Sequence, residues 1–117
     1  MPVSAEYIEY VVDQLACIGE VTHKRMFGGV GLYHDGLFFG LIASDMLYFK
    51  VDDENRSAYV SAGSKPFQPY DEVSSMNYFE VPVNVLEDTD QLKLWANEAV
   101  AAAFRKSAQG KRKKKSS

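Results

Sequence analysis

Apolar residues recur at helical spacing near the start of the chain. Positions i, i+3, i+4 and i+7 of one stretch are all apolar, and they are Ile8, Val11, Val12 and Leu15. This spacing places four side chains on one face and predicts a helix over 5–18. Ser4 is suited to cap its first turn, and Gly19 stands where a left-handed residue commonly ends a helix.

Alternating apolar and polar residues follow the first helix. They predict a meander of four strands, at 20–26, 29–34, 37–43 and 46–51. Asp35-Gly36, between the second and third strands, is a strong signal for a tight hairpin. The third strand is apolar on both faces, as expected for a central strand that is covered by helices.

The second half of the chain is predicted to contain two further helices and two further strands. A short helix begins near Asp52 and ends at Gly63, and a short strand near Phe67 lies at an edge of the sheet because prolines flank it. Residues 70–75 are read as a loop, and 76–81 as the last strand. Asp88 caps a final helix over 89–106, in which Trp95 is expected to be largely buried.

The element order predicts an α+β fold. An antiparallel sheet of five to six strands, arranged as a meander, carries the N-terminal helix, the C-terminal helix and the short middle helix in two layers. A chain of 117 residues is long enough for one such domain, with 46% apolar residues to fill its core. No apolar run is long enough to span a membrane, no secretion signal is visible, and Cys17 is the only cysteine. A cytoplasmic protein is therefore expected.

The net charge of −3 hides an uneven distribution. Residues 1–104 contain all sixteen acidic residues but only six of the thirteen basic ones, which gives them a net charge of −10. We therefore divide the chain into a domain at 1–106 and a disordered basic tail at 107–117. The tail is the predicted site of weak, non-specific nucleic-acid contact, through Lys111, Arg112, Lys113, Lys114 and Lys115.

No familiar catalytic or cofactor motif is present. The run Gly28-Gly29-Val30-Gly31 lacks the third glycine of a dinucleotide loop and the Lys-Ser/Thr of a triphosphate loop, so it is interpreted as a backbone bend. His23, His34 and Cys17 lack metal-ligand spacing, and Cys17 has no evident histidine partner for nucleophilic catalysis. The sequence therefore predicts no enzyme, no cofactor and no metal.

One segment carries a family resemblance. Arg25-Met26-Phe27-Gly28-Gly29-Val30-Gly31-Leu32-Tyr33 resembles the opening motif of the TfoX/Sxy amino-terminal domain, and shorter matches continue in order through Leu94-Trp95-Ala96. The resemblance implies a regulator of DNA uptake that acts through a protein partner in transcriptional control, without the helical carboxy-terminal domain of several members. The residues assigned to this motif and to partner contact are Lys24, Arg25, Met26, Phe27, Gly28, Gly29 and Gly31.

Two other function classes stay open at this point. One is an accessory protein that binds nucleic acid through its basic tail. The other is a small ligand-binding protein or enzyme, with a pocket that the periodicity of the sequence does not reveal. A homodimer is possible: a dimer or a tight protein partner would favour the regulatory interpretation, whereas a monomer with a salt-sensitive basic tail would favour nucleic-acid binding. The sequence does not identify the partner or the regulated genes.

Overall fold

The computed structural model describes residues 4–26, 29–70 and 73–116. Four helices and a short 3₁₀ turn combine with six strands in the order helix, four strands, helix, two strands, two helices. The helices are α1 (Ala5–Leu15), α2 (Arg56–Ser61), α3 (Val83–Leu86) and α4 (Thr89–Ser116), and the 3₁₀ turn is Ala16–Ile18. The strands are β1 (Thr22–Met26), β2 (Gly29–His34), β3 (Leu37–Ala43), β4 (Met46–Lys50), β5 (Pro66–Tyr70) and β6 (Val73–Glu80).

The strands form one antiparallel sheet in the order β1-β2-β3-β4-β6-β5. The first four strands are the predicted meander, and the β5–β6 hairpin joins it through β6. The predicted α+β fold is therefore confirmed. β5 lies at an edge of the sheet, as predicted. Its prolines suit this position, because proline has no amide hydrogen to donate to a second neighbouring strand.

Two tight turns fix the register of the meander. Asp35 and Gly36 have φ angles of 52° and 76°, so both central residues of the β2–β3 turn are left-handed, as a type I′ hairpin requires. The β3–β4 turn uses the same geometry with Ser44 and Asp45, whose φ angles are 52° and 54°. The predicted Asp35-Gly36 hairpin is thus confirmed.

A bulge in the β2–β3 pairing explains why β3 is apolar throughout. Leu32 lies opposite Gly40 while Tyr33 lies opposite Phe38, which leaves Phe39 as the extra residue. Phe39 is fully buried in the core, whereas the rings of Tyr33 and Phe38 stack with centroids 5.3 Å apart. The predicted helical cover on both faces of β3 is therefore wrong here, because Phe38 packs against an aromatic neighbour on its own sheet.

The helices and the sheet share a single hydrophobic core. From α4 it takes Leu92, Ala96, Ala99 and Ala103. Trp95 is only partly buried, contrary to expectation. The fully buried aromatic residue beside it is Tyr59 of α2, whose ring meets the indole edge-on at 4.6 Å between centroids.

The start of the middle helix and the start of the last strand both differ from the prediction. Residues 52–55 form a turn before α2 because the buried Asn55 side chain accepts from the Asp52 amide at 2.8 Å and donates to the Lys50 carbonyl at 3.1 Å. The predicted loop at 70–75 is wrong in part, since β6 already begins at Val73. Pairing with β5 satisfies the backbone hydrogen-bonding groups of this polar segment. The local sequence does not indicate that pairing.

The last helix is longer than predicted. α4 continues to Ser116, so the segment 107–116 is helical rather than disordered. Alanine, glutamine, lysine and arginine favour helix, and basic residues near a helix C-terminus interact well with its dipole. These local preferences outweigh the like-charge repulsion on which the prediction of disorder depended.

A bidentate ion pair holds α4 against the turn before α2. Arg105 donates to both carboxylate oxygens of Asp52, from Nε at 2.6 Å and from Nη2 at 2.9 Å. Arg105 thereby holds the pKa of Asp52 below its usual range, since the guanidinium favours the charged carboxylate. Arg105 therefore stabilises the fold by joining α4 to the turn before α2.

Replacing Gly36 with valine should destabilise the protein by about 1–3 kcal/mol, because a β-branched residue tolerates positive φ poorly. No atom lies within 4 Å of a Cβ built at Gly36, so backbone strain is the main cost. Urea unfolding of Gly36→Val measures this cost. Gly36→Asn is the matched control and should lose far less, since asparagine accepts left-handed conformations. Equal stability of Gly36→Val and the native chain would contradict the turn assignment.

The Asp52–Arg105 pair should make stability depend on acid pH. The folded pKa of Asp52 is lowered, so its contribution is present above the unfolded pKa, near 4, and is lost as pH falls through the folded value. Asp52→Asn should cost about 1 kcal/mol at neutral pH, a modest value because both partners are about one-third exposed. Unfolding free energies from pH 7 down to about pH 3 should decline less steeply in Asp52→Asn than in the native protein. Identical slopes would show that the pair does not stabilise the fold.

Candidate functional site

Strand β1 is an exposed edge of the sheet. It pairs only with β2, so one side of its backbone has no neighbouring strand among the described residues. Residues 22–25 are all exposed, and three of them in succession are His23, Lys24 and Arg25. An open strand edge offers backbone donors and acceptors to an extended segment of another chain.

The two faces of β1 present different residues. Strand side chains alternate, and His23 and Arg25 lie opposite the core residues Leu32 and Val30 of β2. They therefore share the sheet face on which α1 packs. Lys24 lies opposite Gly31 and is directed to the other face.

A groove of about 340 Å³ separates α1 from β1. Its residues are Ala5, Ile8, Glu9, Val12 and Asp13 from the helix, with His23 and Arg25 from the strand. Glu9 and Asp13 are four residues apart, so they project from the same side of α1. The groove thus has an acidic helical wall, a basic strand wall and an apolar floor.

The charges on the two walls do not neutralise each other directly. Glu9, Asp13 and Arg25 form no salt bridge with any residue in the described part of the chain. All three are exposed. A segment carrying charges of both signs could pair with both walls, while its backbone pairs with β1.

The glycine-rich motif connects β1 to β2. Met26 ends β1 opposite Gly29, which begins β2, while Phe27 and Gly28 lie outside the described residues. A Cβ on Gly29 would come within 2.6 Å of the Ile42 carbonyl oxygen of β3, so a larger residue cannot fit without displacing the backbone. The buried Gly31 lies opposite Lys24. At Gly29 the motif therefore shapes the sheet beside the β1 edge.

The predicted nucleic-acid residues lie far along the chain from this edge. Positions 111–115 fall within the final turns of α4, and their side chains lie outside the described part. The role assigned to these five residues therefore stays a prediction from the sequence.

Other chemistry receives little support from the described residues. Burial raises the pKa of the Cys17 thiol, which keeps it protonated at neutral pH and makes it a poor nucleophile. Within 4–26, 29–70 and 73–116, no three His, Cys, Asp or Glu residues are grouped to hold a metal ion. Over the same ranges, none of the helices has the length and apolar character needed to cross a membrane.

Sequence reasoning identified Lys24 and Arg25 but missed the acidic wall of the groove. Glu9 and Asp13 carried a usable signal, because their spacing of four places them together on a helix whose apolar face is already known. What the sequence lacked was the packing of α1 beside β1. That placement depends on the whole core.

Two comparisons with known proteins agree with each other. The family model described as the TfoX N-terminal domain matches residues 13–103. The chain is also 25% identical over 104 residues to the DNA transformation protein TfoX1 of Aliivibrio fischeri (strain ATCC 700601 / ES114). That alignment covers 81% of this chain and 49% of the relative, so the chain spans about half the relative's length.

Proposed function

We propose that this chain, which belongs to the TfoX N-terminal domain family, is a non-enzymatic adaptor that acts in DNA transformation by binding a regulatory protein. The observation that carries the proposal is the exposed β1 edge beside a groove whose charged residues are unpaired among the described residues. The name of the A. fischeri relative supports the biological process. The exposed β1 edge supports the proposed mode of action, which is binding of a regulatory protein.

The partner would add an extended segment to β1. Backbone hydrogen bonds to residues 22–26 would supply affinity, and alternate side chains of the segment would enter the groove beside α1. Arg25 would then meet an acidic residue of the partner, while Glu9 and Asp13 would meet basic ones. Such a contact would control transcription by bringing the partner to its target, with no reaction at the site.

Charged residues on an edge strand also discourage unwanted strand pairing. The two roles predict different consequences of changing the charge. If Arg25 only protects the edge, any charge at that position is adequate. If it contacts a partner, reversing its charge should abolish the contact.

Arg25→Glu should lower transformation frequency in the source bacterium, because an acidic residue would repel the acidic partner residue that we propose. Affinity should fall about tenfold or more, the equivalent of about 1.4 kcal/mol. Lys93→Glu is the matched control, since Lys93 is exposed on α4 and its substitution by glutamate changes the net charge by the same amount. Transformation assays, transcript measurements and circular dichroism of both variants make the comparison. Normal transformation with Arg25→Glu would contradict the proposed contact.

A second candidate function is weak nucleic-acid binding by the end of α4. The specific observation is that residues 111–115, all basic, lie in a continuous helix instead of a loose tail. The domain before it carries a net charge of −10 at 1–104, which opposes close approach of phosphates elsewhere. This binding would not select a sequence, since the segment is predicted to contact phosphates only.

Replacing Lys111, Arg112, Lys113, Lys114 and Lys115 with glutamine should abolish binding to duplex DNA while keeping a helix-forming composition. In the native chain, each neutralised phosphate contributes a slope of about −0.9 in log K against log salt, so five contacts would give at most about −4 to −5. Fluorescence anisotropy with matched and scrambled duplexes at several salt concentrations measures both properties. Binding that survives the five substitutions, or that prefers one duplex, would show that another surface binds DNA.

A further inference from the structure

A cavity of about 230 Å³ lies where β4 ends, α2 begins and the second half of α4 passes by. Three separate segments of the chain line it, and all of them are within the described residues. The lining residues with charged side chains are Lys50, Asp52, Asp53, Arg56, Arg105 and Lys106. β1 lies at one edge of the sheet, and β4 is the fourth strand from it, so this cavity is distinct from the groove beside α1.

The cavity is lined by more basic than acidic residues within an acidic domain. Four of its lining residues are basic and two are acidic, a net charge of +2. Asp52 is engaged by Arg105, which also lies 3.7 Å from Glu54, and Asp53 accepts from Arg56 Nη1 at 2.6 Å. Lys50 and Lys106 have no carboxylate partner among the described residues. The carboxylates therefore leave part of the basic charge unneutralised.

One basic group at the cavity lacks a hydrogen-bond acceptor. The Nε–H of Arg56 is buried and has no hydrogen-bond acceptor in the described part of the chain. The Lys50 ammonium is directed away from the cavity, because it donates at 3.0 Å to the hydroxyl of Tyr78, which pairs with Lys50 across β4 and β6 and does not line the cavity. The Arg56 Nε–H would gain from an anionic acceptor.

We propose that this cavity binds a phosphate group, held by Arg56 and Lys106. A guanidinium presents several donors in one plane, which suits phosphate oxygens, and the Lys106 ammonium adds a point charge. The phosphate comes either from a free phosphate-bearing small molecule or from a nucleic-acid backbone. The second source fits the course of α4, since residues 112 and 113 follow Arg105 and Lys106 by seven positions, about two helical turns.

Titration of the full chain with inorganic phosphate tests the site by nuclear magnetic resonance. The Arg56 Nε–H resonance should shift and saturate, with the Lys106 signal following the same curve. Lys106→Gln should weaken phosphate binding about tenfold without loss of stability, because the exposed Lys106 ammonium has no salt bridge in the described structure. Arg56→Gln should weaken it at least as much, and Lys93→Gln on the outer surface of α4 should leave it unchanged.

A second titration with a single-stranded oligonucleotide identifies the source of the phosphate. If the oligonucleotide shifts the same resonances and competes with phosphate, the site holds a backbone phosphate. If only inorganic phosphate shifts them, the site serves a small phosphate-bearing ligand. A linear, unsaturated response to both probes, or equal responses in Lys106→Gln, Arg56→Gln and Lys93→Gln, would overturn the proposal. Neither result bears on the β1 contact, which Arg25→Glu tests separately.

Discussion

The close approach of α4 to the sheet is the contact on which the rest of the structure depends. α4 packs on β3 and β4, and it also contacts α1, α3 and the 3₁₀ turn. The face that makes these contacts is largely alanine, with Ala96, Ala99 and Ala102 almost wholly buried. Alanine favours the helix and leaves its backbone near its neighbours, so α1 and the sheet can share one core with it. The groove beside β1 and the cavity near Arg105 are both consequences of this placement.

Local sequence predicted the elements whose signals are local. β2 and β3 have the predicted bounds, because apolar alternation and the Asp35-Gly36 turn define them without reference to distant residues. Where the prediction of an element or of a buried residue failed, the structure was often determined by a contact with an element distant in sequence. β6 begins at Val73 because β5 pairs with it, and Tyr59 rather than Trp95 fills the core because of how α2 meets α4. The bulge at Phe39 likewise follows from the pairing of two strands.

The candidate sites were less accessible to sequence reasoning than the fold. The family motif assigned Lys24 and Arg25 to partner contact, but the sequence did not show that they lie on opposite faces of an edge strand. The cavity near α4 was missed altogether, since residues 50–56, 77 and 102–106 become neighbours only after folding. A search for motifs within one segment cannot find a site that three segments build. The sequence does not show which charged residues, distant from one another along the chain, become neighbours in the fold.

The basic residues of this acidic domain differ in whether a carboxylate pairs with their charge. Arg105 is committed to Asp52, and the Nη1 of Arg56 to Asp53, so neither is equivalent to a solvated cation. Arg25, Lys50 and Lys106 have no carboxylate partner among the described residues, and they occupy separate parts of the sheet and α4. Since a net charge of −10 at 1–104 repels anions at long range, an anionic group can approach only where such cations create a local exception. Because these cations are separated, the proposed protein segment at β1 and the proposed phosphate near α4 would bind without competing for the same charge.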